Sequence, residues 1–110
     1  MGITDRDHLR VGNASHARLY CVRPDEITIY KKNGVDWVEA GSGGASTFET
    51  IHPAITGKWW RLPAGNPYDD RALVLHNDTG NHWLWEPRAD MPLADFEAAL
   101  LAVNKNFVLV

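Results

Sequence analysis

The chain has 110 residues, 45% of them hydrophobic and 23% charged, with a formal net charge of −3. That length holds one domain with its own core and excludes two, and the balance is that of a globular chain, not a disordered or collagen-like one. With no surplus of basic residues, the bulk phosphate neutralisation behind non-specific nucleic-acid binding is excluded, so nucleic acid is not an expected partner.

Met1 to His16 mix Asp, Arg, His and Asn without an apolar run. This reads as a flexible arm over residues 1–16, with the domain over 17–110, and as neither a signal peptide nor a membrane anchor. No stretch offers the roughly 18 consecutive apolar residues of a membrane span, so a cytoplasmic protein with no membrane partner is expected. Arg18-Leu19-Tyr20-Cys21-Val22 reads as a first strand, stopped by Arg23-Pro24-Asp25. Cys21 is the single cysteine and has no intramolecular disulfide partner, which fits either a reducing cytosol or indifference to redox state, and the role of a small buried hydrophobe. Ile27 to Tyr30 is a second strand, Asn33-Gly34 a tight turn, and Val35 to Glu39 the returning strand of a hairpin.

Gly41-Ser42-Gly43-Gly44 opens onto Ala45-Ser46-Thr47-Phe48-Glu49. It has neither GxGxxG spacing nor a GK[ST] ending, so it is either a sharp turn or a place where a ligand approaches the backbone. Lys58 to Leu62 is a short strand running into a Pro/Gly turn. Arg71 to His76 and Asn81 to Glu86 are strands joined by Asn77-Asp78-Thr79-Gly80, and Pro87 ends the pairing. Asp90 is placed to cap a helix with Pro92 in its first turn, and Leu93, Phe96, Leu100 and Val103 form its apolar stripe, with a stop near Asn104. Phe107 to Val110 is too apolar for a loose tail and is expected as a last strand or a docked end. The sum is an α+β domain of mostly antiparallel sheet with one clear C-terminal helix.

The five histidines and one cysteine form no HxxxH, HExxH or CxxC pattern, so no metal site is expected, and no GxSxG elbow is present. Trp83 and Trp85 share one strand face, suited either to core packing or to stacking on a flat ring. His82 and Glu86 share the other face about 13 Å apart, too far to grip one atom and suited to the two ends of an extended ligand or to a solvated edge.

Gly43-Gly44-Ala45-Ser46-Thr47-Phe48, then Trp60-Arg61-Leu62-Pro63-Ala64-Gly65, then His82-Trp83 with Pro87, then Met91 before the last helix, together resemble the small toxins delivered by bacterial type VI secretion whose fold is ADP-ribosyltransferase-like. Leu19-Tyr20 looks like the first strand's Leu-Tyr-Arg element, with Cys21 where the arginine would stand. The resemblance implies an ADP-ribosyltransferase-like fold, NAD as substrate, and a cognate immunity protein or antitoxin as partner. It implies Ser46, His82 and Glu86 as catalytic residues, Glu86 being the one candidate for the family's late glutamate. It also implies Tyr20, Thr47, Arg18 and Trp83 as residues that bind the dinucleotide, Arg18 replacing the absent first-strand arginine. Delivery into a neighbouring cell belongs to the same expectation. Two other classes fit the residues: a metal-independent ribonuclease using His76 or His82 with Arg61 on the phosphate, and a non-catalytic binding module or antitoxin with a tryptophan-rich interface.

Overall fold

The computed structural model, which describes residues 1–110, carries eleven strands and one helix. They are β1 (Gly2–Ile3), β2 (His8–Gly12), β3 (Ile29–Lys32), β4 (Val35–Val38), β5 (Ala45–Phe48), β6 (Lys58–Leu62), β7 (Pro67–Tyr68), β8 (Leu73–Thr79), β9 (His82–Pro87), β10 (Met91–Pro92), α1 (Leu93–Asn104) and β11 (Val108–Leu109). Six strands form one sheet in the order β11-β6-β2-β5-β9-β8, three form a second in the order β10-β4-β3, and β1 pairs with β7. Every pairing is antiparallel. The chain is therefore a small α+β domain of mostly antiparallel sheet with one C-terminal helix. That helix is not long and apolar enough to cross a membrane.

Local chemistry explains the best-defined elements. Asn33 and Gly34 take φ of 53° and 77°, the positive values that a two-residue turn needs to match the twist of its strands. Lys32 accordingly faces Val35 in the β3–β4 register. In α1, Phe96 and Leu100 are fully buried and Val103 nearly so, and the helix packs against β4, β10 and β7. These side chains join Val38, Ala45, Leu62, Leu73 and Trp85 in one core that ties both sheets to the helix. Each large apolar side chain so enclosed contributes roughly 1.5 to 3 kcal/mol.

Two expectations are corrected here. Residues 1–16 are not a flexible arm, because β2 lies inside the large sheet, paired residue by residue with β6 from His8↔Leu62 to Gly12↔Lys58. Its polar residues face inward, His8 at 1% and Arg10 at 8% exposure, which is why the segment lacks an apolar signature. Arg18 to Val22 is not a strand: Arg18 sits at φ 63°, and Ala17 and Leu19 plug the core as single buried side chains. Asn104 at the end of α1 fixes this segment by accepting the Leu19 N–H at 2.8 Å.

The helix start also differs from expectation. Pro92 occupies the cap position, without a side-chain hydrogen bond. Asp90 instead accepts from the Tyr30 hydroxyl at 2.7 Å and from the Ala40 N–H at 2.9 Å, tying the β3–β4 hairpin to the approach of the helix. Those bonds, the Tyr30 hydroxyl first, hold its carboxyl below the usual aspartate range.

Candidate functional site

β2 and β5 are paired only at Leu9↔Phe48, and the space where they part is filled by the guanidinium of Arg10. Its Nη1 donates to the Ser46 carbonyl at 2.7 Å and its Nε to the Arg18 carbonyl at 3.2 Å. No carboxylate stands within ion-pair reach of it. Burial lowers its pKa from the ordinary arginine value, yet a guanidinium keeps its proton in proteins. A nearly enclosed cation satisfied only by carbonyl oxygens is an uncommon arrangement, since buried charges are as a rule paired.

Arg10 lines two adjoining cavities. The larger, about 420 Å³, is walled by Val11, Gly12, Arg18, Cys21, Val22, Arg23 and Ile55. The smaller, about 220 Å³, adds Glu26, Ser46 and Phe48, and shares Arg10, Val11, Arg23 and Ile55 with the larger. Three arginines against one carboxylate make this cleft the place where an anionic small molecule is best received, and the larger cavity alone is within the usual size range of ligand sites.

Two glycine positions build it. After β2 the chain doubles back through a turn in which Asn13 Oδ1 accepts the N–H groups of Ser15 and His16 at 2.7 and 2.9 Å. A Cβ on Gly12 would overlap the His16 carbonyl, so only glycine lets the chain turn this tightly and bring Arg18 over Arg10. At the other wall, Gly43 has φ 140° and its missing Cβ makes room for the Glu26 carbonyl. The Gly43-Gly44 step is thus a close approach of backbone to backbone, not a sharp turn alone.

The residues singled out in the sequence fall into separate groups. Ser46 lines the smaller cavity and Arg18 the larger. Thr47 points the other way, fully buried, with its Oγ1 2.9 Å from His8 Nδ1 and accepting from Trp85 Nε1 at 3.1 Å. It is a core hydroxyl with no face open to a dinucleotide. Trp83, opposite Thr47 on β9, is covered by the Arg6 guanidinium at 4.6 Å and met by the His8 ring at 5.7 Å, so it offers no bare stacking platform. Trp85 is core. Tyr20 lies off any strand, packs on the core and holds its hydroxyl 3.4 Å from His16 Nε2. It lines neither cavity.

His82 and Glu86 share the Ser46 face of the β5–β9 pair, since Ser46 faces Leu84 and Phe48 faces His82. His82 is engaged by Asp78 at 3.0 Å and rests against the Phe48 ring, and Glu86 is engaged by His76 at 3.2 Å. Neither lines the cleft. A pocket of Ser46 with Tyr20 and His82 is therefore not formed; Ser46 lines the smaller cavity together with Arg10, Arg23 and Glu26 instead. Arg10, Arg23 and Glu26 are the charged cleft residues sequence reasoning missed, Arg10 foremost. The signal for Arg10 was the apolar pair Leu9 and Val11 around it, a strand pattern hidden by polar neighbours on both sides.

In the core beside Thr47, burial pushes the His8 pKa down to about 4, so the ring is neutral near pH 7. No group of three or more His, Cys, Asp or Glu side chains is gathered where a metal ion would fit. No protein-family model matches the chain, and no curated protein or solved structure is similar to it at a significant level.

Proposed function

We propose that the chain is a bacterial toxin of ADP-ribosyltransferase-like fold that takes NAD as its substrate in the arginine-lined cleft, for ADP-ribosyl transfer or NAD cleavage. It acts in the cytoplasm of a target or host cell, is delivered by a secretion system and is neutralised by a cognate immunity protein or antitoxin. One observation carries the reading: the buried Arg10, with no carboxylate within ion-pair distance, bonds the backbone of Ser46 at the point where two central strands separate. The type VI toxin resemblance calls for an arginine on the first strand, with Arg18 as its substitute. Arg18 lines the larger cavity, and Arg10 on β2 lines it too, in support of the same role.

The chemistry divides the work among these groups. Breaking the bond between ribose and nicotinamide passes through an oxocarbenium-like sugar, so the protein must orient the dinucleotide and stabilise positive charge at C1′. Arg10, Arg18 and Arg23 suit the diphosphate, which guanidinium groups bind through paired, charge-assisted hydrogen bonds. Ser46, in the smaller cavity, suits the ribose hydroxyls.

Expression of the chain alone in a bacterial host tests the reading. Growth arrest with a fall in cellular NAD is expected, and Arg10→Ala or Ser46→Ala should relieve both. Arrest with intact NAD and fragmented RNA would select the ribonuclease. Harmless expression together with a tight protein partner would select the binding module.

A further inference from the structure

The carboxylate residue that shares a cavity with Ser46 is not one from the late strands. Glu26 lines the smaller cavity with Arg10 and Ser46, and its side chain is 12% exposed. The glycine loop fixes its backbone: the Gly44 N–H donates to the Glu26 carbonyl at 3.0 Å, and only the absence of a Cβ lets Gly43 pass that same carbonyl. The segment leading into Ser46 therefore sets where the Glu26 backbone stands, and the Glu26 carboxylate is held by Arg23. Glu86 is turned toward His76, outside both cavities.

The ion partner of Glu26 is Arg23, with Nε 3.0 Å from Oε1 and a side chain 70% exposed. An ion pair with one arm in solvent is weak. Arg23 also lines the larger cavity, so a diphosphate there competes for its guanidinium with the stronger grip of several phosphate oxygens.

Resting on the NAD reading above, we propose that Glu26 is the catalytic carboxylate, masked by Arg23 until the diphosphate of the substrate engages that arginine. The bond between C1′ and the nicotinamide nitrogen breaks, and its electron pair leaves with the nitrogen, discharging the pyridinium. Glu26 faces the positive sugar and accepts the proton of the water or acceptor hydroxyl whose oxygen bonds to C1′. With water as acceptor, NAD and water give ADP-ribose, nicotinamide and a proton that Glu26 passes to solvent.

The test measures nicotinamide release and NAD binding by the full chain. Glu26→Gln should lower kcat by about 10²-fold or more while NAD still binds. Glu26→Asp, which keeps the charge, should recover about tenfold of that loss, and it serves as the second variant where Glu26→Gln does not fold. Arg23→Ala should raise KM severalfold with kcat retained, because the carboxylate is then unmasked. A Glu26→Gln variant with unchanged kcat overturns the assignment, and so does an Arg23→Ala variant that loses as much kcat as Glu26→Gln, which would make the ion pair purely architectural. Loss of cleavage in Glu86→Gln but not in Glu26→Gln moves the carboxylate to β9 and leaves the NAD reading standing. A wild-type chain that neither binds nor cleaves NAD overturns both.

Discussion

Arg10 Nη1 donates to the Ser46 carbonyl at 2.7 Å across the widening gap between β2 and β5, and this bond replaces the strand pairing that ends at Leu9↔Phe48. The guanidinium is at once a piece of the sheet and the cation at the floor of the cleft. Its two carbonyl partners use only part of its donor set, since a guanidinium carries five N–H groups. The remainder is what a phosphate oxygen would take up.

Replacement of Arg10 by Met, similar in reach but without donors, should leave the Ser46 and Arg18 carbonyls unpaired. The expected cost is about 1 to 3 kcal/mol in urea unfolding, partly offset because a buried charge is removed. Nicotinamide release should fall well beyond what that loss of folded protein explains. Equal activity in folded Arg10→Met protein would take Arg10 out of the site.

Ser46 and Thr47 are adjacent in sequence and opposite in role, which gives a paired prediction. Thr47→Val strands a buried His8 nitrogen and the Trp85 N–H, so unfolding should become easier by about 2 to 4 kcal/mol, with NAD binding retained in the folded fraction. Ser46→Ala removes a half-buried hydroxyl that bonds no other residue and should stay within about 0.5 kcal/mol of wild type while losing activity. A melting curve and a nicotinamide assay on the two variants separate core from cleft.

The geometry of these strands also marks how far the sequence could be read. The β8–β9 hairpin was legible as a pair but not in its bounds, since Asn77–Thr79, expected as the connection, extends β8, and Pro87, expected to end the pairing, stands opposite Leu73. Of the strand or docked end expected at the C-terminus, the chain forms the strand. The Asn33-Gly34 hairpin and the C-terminal helix were legible because each is coded locally, by turn chemistry or by an apolar period of its own. β2 was not, because its inward residues are His8 and Arg10, made acceptable in the interior by partners 36 and 39 positions away. Arg18 to Val22 misled for the opposite reason, since apolar residues that plug a core from a loop look like a strand. At the site, Ser46 was legible from the glycine loop before it. The company it keeps was not, because Arg10 and Glu26 reach it only through the β2–β5 divergence and the close approach at Gly43.

Acid should loosen the fold through His8. Its folded pKa is about 4, brought down by burial first and by the Arg6 charge second, while an unfolded histidine titrates near about 6.5. Between those values the unfolded chain binds more protons, so stability is full above the upper one, falls as pH drops, and levels off below the lower one. The contribution amounts to about 2 kcal/mol lost between about pH 7 and about pH 5. Urea unfolding of wild type and His8→Gln at the two pH values checks it, and the variant should show the smaller pH dependence.

Gly43→Ala should be among the most damaging glycine substitutions. It places a Cβ on the Glu26 carbonyl and forces alanine to a φ of 140°, with a cost above about 2 kcal/mol. Gly34→Ala, at positive φ but with open space around it, should cost less, about 1 kcal/mol. Comparing their melting temperatures separates steric overlap from backbone strain.

Titration of the isotope-labelled chain with NAD, followed by nuclear magnetic resonance, tests the central claim most directly. Shifts concentrated at the Arg10 side-chain Nε–H and at the backbone of Gly12, Arg18, Arg23 and Ser46 are the predicted result. Shifts gathered instead around His76 and His82 on the β8–β9 hairpin, or no shifts at saturating NAD, would contradict it.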